Sequence, residues 1–215
     1  MNISVTVMAT HQREVQAERL RSALADMPFS YVSVVYDEVA DGTHDSEWNN
    51  GKNCLLDGLG KGDWHVIIQD DAILTPFFFE NLQGALESVP TRSLVSLYTG
   101  QSRPLPKRVQ TAVDKAYHAT WLQYILLMWG VAIAIPTGQI LHVLEFVEGR
   151  QEPYDTRIGI AYQRNRLPVY YTMPSLVEHD DGLDSLLEHG KAEGKRVAHN
   201  LATQRVVWNK EVIDI

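Results

Sequence analysis

The segment His65-Val66-Ile67-Ile68-Gln69-Asp70-Asp71-Ala72-Ile73-Leu74 sets two adjacent carboxylates between apolar runs. Aspartate disfavours a strand, and enclosing its charge costs more unless an opposite charge accompanies it. The pair therefore requires a metal, a substrate cation or a basic side chain at the end of a buried strand. The plainer alternative is a strand-to-helix corner where one Asp caps a helix. Against that, Ala72-Ile73-Leu74 encloses the pair instead of leaving it to solvent. Hard cations such as Mg²⁺ and Mn²⁺ prefer carboxylate oxygen and tolerate imidazole. A candidate imidazole lies far downstream in Pro174-Ser175-Leu176-Val177-Glu178-His179, just before Asp180-Asp181. On its own, His179 reads equally as a ligand, a base or a salt-bridged surface group.

Other residues offer chemistry at helix starts and strand ends. Asp155 follows Glu152-Pro153-Tyr154 and precedes Thr156-Arg157, which suits an N-cap or a general base. His11 and Arg13 come directly after the first apolar strand, as nucleotide contacts or as solvated helix-start residues. Trp48, Trp121 and Trp129 are core residues or substrate platforms. Arg103, Lys107, Arg108 and Lys115 form a basic stretch that is a solvated loop or a contact for an acidic ligand. Three signatures are missing: a Gly-rich phosphate loop, a Ser-His-Asp arrangement and a Cys-His zinc spacing.

The elements that must position these groups alternate. Ile3 to Thr10 reads as a strand, followed by a helix with Ala17, Leu20, Leu24 and Met27 on one face. Tyr31 to Tyr36 is a second strand ending at Asp37-Glu38, and Gly42 to Gly51 is polar and turn-rich. A short helix at Leu55, Leu56 and Leu59 closes at Gly58 or Gly60, ahead of the strand at His65 to Gln69. Pro76 opens a helix, and Leu94 to Tyr98 is again a strand. Thr99 to Thr120 reads as irregular, and Gly130 to Ile135 as a buried strand. Helices from Pro136 and near Asp155 precede a short strand at Val169 to Tyr171. Such alternation predicts an α/β sandwich with a mostly parallel central sheet. Residues 1–189 are expected as one domain, and 190–215 as a loosely packed tail.

Bulk properties narrow the function. The chain has 215 residues and a net charge of −8, which disfavours broad binding to nucleic acid or anionic membrane. The run from Tyr124 to Ile135 falls short of the roughly 20 residues a bilayer crossing needs, so no membrane span is expected. A lone Cys54 and the lack of a leader-like start fit a cytoplasmic protein.

Taken in order, these pieces resemble the nucleotide-sugar-dependent glycosyltransferases of the GT-A fold. Val5 to Arg13 looks like the family's opening nucleotide-binding unit, which gives Thr10, His11 and Arg13 donor contacts. Asp37 matches the acidic residue that contacts the uracil or ribose. Gln69-Asp70-Asp71 falls where the family carries its D-x-D or E-D-D metal motif, with Gln69 in the first position. Pro174 to His179, followed by Ser185-Leu186, resembles a Pro-Ser-Leu-Val-x-His segment whose His completes the metal site. The resemblance thus implies Mn²⁺ or Mg²⁺ on Asp71 and His179, with Gln69 and Asp70 facing the donor. It also implies Asp155 as the base of an inverting transfer, with Glu152 in reserve. Trp129-Gly130 looks like the acceptor-side strand. The implied substrate is a nucleoside-diphosphate sugar, a UDP-sugar first. The acceptor is left open among a glycan, a protein, a lipid carrier and a modified nucleobase. The alternatives are a nucleotidyltransferase on a related sheet and a non-catalytic nucleotide- or sugar-binding module.

Overall fold

The computed structural model describes residues 1–102, 104–183 and 196–215. Arg103, Ser185, Leu186 and residues 190–195 of the expected tail lie outside the described residues. In chain order the elements are β1 (Ile3–Thr10), a 3-10 turn (His11–Arg13), α1 (Glu14–Ala25), β2 (Tyr31–Asp37) and α2 (His44–Asp57). There follow β3 (Trp64–Gln69), β4 (Ala72–Leu74), α3 (Phe78–Ser88), β5 (Leu94–Ser96), α4 (Pro106–Lys115) and β6 (Trp121–Tyr124). The remainder is β7 (Ala132–Pro136), α5 (Ile140–Phe146), α6 (Tyr154–Arg164), β8 (Val169–Thr172), β9 (Val177–His179) and β10 (Val212–Asp214).

Eight strands form one sheet in the order β10-β6-β8-β5-β7-β3-β1-β2, and β4 pairs with β9 in a separate ribbon. The expected α/β architecture with a large, mostly parallel central sheet is what the chain adopts. β1, β2, β3, β5 and β8 run one way, while β7, β6 and β10 run against them.

Helices cover both faces of the sheet's middle, because β1 is buried on both of its faces. Ile3, Val5 and Val7 pack into apolar core on one side. On the other, Ser4 and Thr6 are equally buried and meet polar partners. Thr6 donates to Asp57 at the end of α2 (2.7 Å), and Ser4 Oγ meets His65 Nδ1 at 2.9 Å. His65 Nε2 lies 3.0 Å from the Cys54 carbonyl, and burial pushes the imidazole down to about 4, so it stays neutral. Gly58, the C-cap of α2, packs directly on that ring, and a Cβ there would overlap it. These contacts fix α2 against β1 and β3 and so hold its first turn at the carboxyl ends of those strands.

Three stretches differ from expectation. The polar segment before Gly51 is helical: Thr43 caps α2 by accepting from the Ser46 amide at 3.2 Å. Part of the Thr99–Thr120 stretch is α4, which starts at Pro106, where the missing amide hydrogen costs nothing. Residues 196–215, expected as a loose tail, are paired with the body of the fold. Ala198 bridges Gly100, Leu201 bridges Ser175, and β10 adds to the edge strand β6. Strand β6 would otherwise present unpaired backbone groups at the sheet edge. Among the described residues, no helix is long and apolar enough to cross a membrane.

Candidate functional site

A crevice opens at the carboxyl ends of β1, β2 and β3, where open α/β sheets gather ligands. The strand ends supply Thr10, Asp37 and Gln69. The turn after β1 supplies Gln12 and Arg13, and the start of α2 supplies Thr43, Ser46, Glu47 and Asn50. Asp70, Asp71, His179 and Arg196 complete the wall.

The centre of this wall is the Asp70-Asp71 pair with a buried arginine. Asp70 and Asp71 are 7% and 8% exposed. Arg13 Nη1 donates to Asp70 Oδ1 at 3.0 Å and to Asp71 Oδ2 at 2.8 Å. The Thr10 amide donates to the other oxygen of Asp70 at 3.1 Å. The partner that the sequence demanded for these carboxylates is thus a basic side chain of the same chain.

The ribbon of β4 and β9 brings His179 to the pair. Ala72 lies opposite His179 in antiparallel register, and the Asp180 amide donates to the Asp71 carbonyl at 2.8 Å. His179 Nε2 consequently stands 3.4 Å from Asp71 Oδ2. Asp71 Oδ1 and His179 Nδ1 are both buried without a hydrogen-bond partner. Burial pushes the Asp71 carboxyl up, but His179 and then Arg13 outweigh it and hold the group below its usual value. Asp70 is shifted the other way, by burial first and then by the charge of Asp71.

At the far end of the crevice the carboxylate of Asp37 is taken up by its own loop. It accepts from the amides of Val39 (3.0 Å) and Ala40 (2.9 Å) and from the Ser46 hydroxyl (2.7 Å). Asp37 therefore shapes the entry to α2 as well as lining the crevice. His11 is exposed and stacks on Tyr36, with ring centroids 4.7 Å apart and planes 7° from parallel. Such a flat rim beside a polar cleft suits an aromatic ring of a ligand.

Five residues expected at the site are not on this wall: His11 at the rim, and Trp129, Gly130, Glu152 and Asp155. Trp129 is enclosed edge-on by Tyr98 and Tyr171, at 5.9 and 5.7 Å. Gly130 is buried, and its carbonyl accepts from the Tyr154 hydroxyl. Both belong to the buried core and not to the crevice wall. Glu152 turns to Arg150 (3.2 Å) and the Gln151 amide (3.1 Å). Asp155, at the start of α6, accepts from the amide of Thr156 at 2.6 Å. Burial raises Asp155 to about 6.

The residue missed from sequence is Glu47. It is on the wall, and one of its carboxylate oxygens is buried without a hydrogen-bond partner. Burial, with the nearby charge of Asp155 in addition, pushes Glu47 up to about 8. The available signal was Thr43 heading an acidic turn, His44-Asp45-Ser46-Glu47, as helix starts do.

No protein-family model matches the chain, and no curated protein matches it. Among solved structures, one similarity is to a protein described as mannose-1-phosphate geranyltransferase from Thermus thermophilus. The two are 11% identical with a TM-score of 0.41, over 80% of this chain and 74% of the other. A likeness so distant carries no weight for the chemistry.

Proposed function

We propose that the crevice binds a nucleoside-diphosphate sugar and that the protein is a glycosyltransferase of the GT-A kind, passing the sugar to an acceptor hydroxyl with inversion. The observation that carries this reading is the meeting of Asp71 and His179. They come from distant parts of the sequence to 3.4 Å, and a buried oxygen of Asp71 is left without a partner.

This donor set fits Mg²⁺ or Mn²⁺ only in part-built form. Among the described residues, no three His, Cys, Asp or Glu side chains are grouped to hold an ion by themselves. Two protein ligands are nonetheless what such ions commonly take when substrate phosphates complete the shell. Asp71 and His179 would hold the ion, which when bound stabilises charge on the departing diphosphate. The protein's own part is to orient the donor. Asn50 is fixed by donating to the Ala9 carbonyl at 2.9 Å, and Thr10 presents a hydroxyl without a partner. Gln69 and Asp70 face the same space, and His11 on Tyr36 offers a platform for the base.

Proton transfer is assigned to Asp155 and Glu47, the charge of Asp155 adding to the upward shift of Glu47. Asp155, ionised above about 6, suits the acceptance of a hydroxyl proton. Glu47, neutral up to about 8, is the member on the crevice wall and is available there to donate a hydrogen bond to a ligand.

The deciding experiment is incubation with a panel of nucleotide sugars, UDP-sugars first, with and without Mn²⁺. Release of nucleoside diphosphate supports the proposal. Pyrophosphate release would mean nucleotidyl transfer instead, and saturable binding without turnover would leave a binding module.

A further inference from the structure

Arg13 occupies the ground on which the proposed ion must work. Its side chain is 9% exposed and its Nη1 bridges Asp70 and Asp71. The Asp71 oxygen that it contacts, Oδ2, is also the one nearest His179 Nε2. An ion placed between Asp71 and His179 therefore either displaces the guanidinium or sits beside it. A guanidinium does not shed its proton, so the repulsion cannot be relieved by titration. At a few ångströms in a partly buried site, two like charges oppose each other strongly.

The charge count shows what relieves it. The two carboxylates and Arg13 sum to one negative charge, so the pair is largely neutralised before any ligand arrives. A divalent cation alone turns that into one positive charge in an enclosed space. A diphosphate arriving with the cation restores the balance, and gives the arginine an anion to face if it leaves Asp71.

Building on the donor-binding reading above, we propose that Arg13 makes cation binding conditional on the diphosphate. The cation loads onto Asp71 and His179 together with the nucleotide, not ahead of it. Arg13 is then a gatekeeping charge: it stabilises the acid pair in the empty crevice and sets the order of loading. Because coupling is reciprocal, the nucleotide must gain from the cation by the same factor as the cation gains from the nucleotide.

The test is calorimetry on the full chain with Mn²⁺ alone, UDP alone and Mn²⁺ in saturating UDP. For the wild type, UDP is expected to tighten Mn²⁺ binding by roughly tenfold or more. Arg13→Gln should tighten binding of Mn²⁺ alone, again by roughly tenfold or more, and shrink the gain from UDP. Arg13→Lys keeps the charge and should keep the wild-type pattern. Circular-dichroism melting checks that each variant is folded; if Arg13→Gln is not, the wild-type and Arg13→Lys titrations still decide. Mn²⁺ and UDP binding independently to the wild type overturns the inference alone. So does a folded Arg13→Gln that binds Mn²⁺ no more tightly than the wild type. Failure of every form to bind UDP overturns the donor reading as well.

Discussion

One carboxyl pair lines the crevice and a second reaches it through Glu47 alone, and the two differ in what meets the cost of burial. At Asp70-Asp71 the Arg13 guanidinium bridges both members, and Asp71 is held below its usual value although burial alone would raise it. At Glu47–Asp155 an arginine is also near, but it is committed elsewhere. Arg157 donates to Asp45 at 2.8 Å and to the Glu152 carbonyl, and lies over the Trp48 ring. Glu47 and Asp155 accordingly rise to about 8 and about 6. The same penalty is met by ion pairing at Asp71 and by a proton at Glu47, while Asp70 beside Asp71 is itself raised. One end therefore already holds a cationic side chain, and the other holds a proton.

Removing the ionised end should give the largest effect. Asp71→Asn is expected to lower Mn²⁺-dependent turnover by at least about 100-fold, with binding of Mn²⁺ in the presence of UDP lost in calorimetry. Asp155→Asn should cost roughly 10²- to 10⁴-fold in kcat while donor binding stays intact. In the wild type kcat should climb with pH through about 6 as Asp155 ionises. Unchanged turnover in this variant would remove Asp155 as the base.

Glu47→Gln probes the protonated end through stability. An unfolded glutamate loses its proton near its ordinary 4.5, whereas the folded protein keeps it to about 8. The native state thus binds more protons across that window, so its stability falls as pH rises from 4.5 to 8 and levels off above. The Gln variant should lack this decline and exceed the wild type at pH 8 by a few kcal/mol at most, as melting over the window would show. The smallest effect is expected from Asp45→Ala. Its carboxylate is exposed, so stability should change by about 1 kcal/mol or less. Arg157 is then free to face Glu47, and carboxyl NMR should show the Glu47 titration moving down.

Much of the scaffold was legible because its strands carry their own signal. β7 is apolar along its length and β1 and β3 are rich in buried Val and Ile, and the strand ends placed Asp37, Asp70 and Asp71 at one end of the sheet. α2 was hidden because its inward face carries Ser46, Asn50 and Gly51 beside Trp48 and Cys54, which blurs apolar periodicity. α4 was hidden because it buries only Val109 and Ala112. At the site, Asp71 and His179 stood out as charged groups ending apolar runs. Arg13 was legible only as a nucleotide contact or a solvated helix-start residue, since its grip on the acid pair arises from sheet order. Glu47 owes its character to the approach of α6, which no local pattern records. Trp129 was ambiguous for a simpler reason: an indole serves a core and a binding platform equally well.

The ribbon of β4 and β9 has a consequence for tolerance to change. Asp71 and His179 are aligned by backbone pairing rather than by the side chains between them, and Ile73 on that ribbon is half exposed. Point substitutions at Ile73 should therefore pass almost unnoticed. Loss or gain of a single residue within either strand is another matter, because it turns every later side chain to the opposite face. His179 would then point away from Asp71 in a protein that is otherwise folded. The site is forgiving of spelling and intolerant of frame.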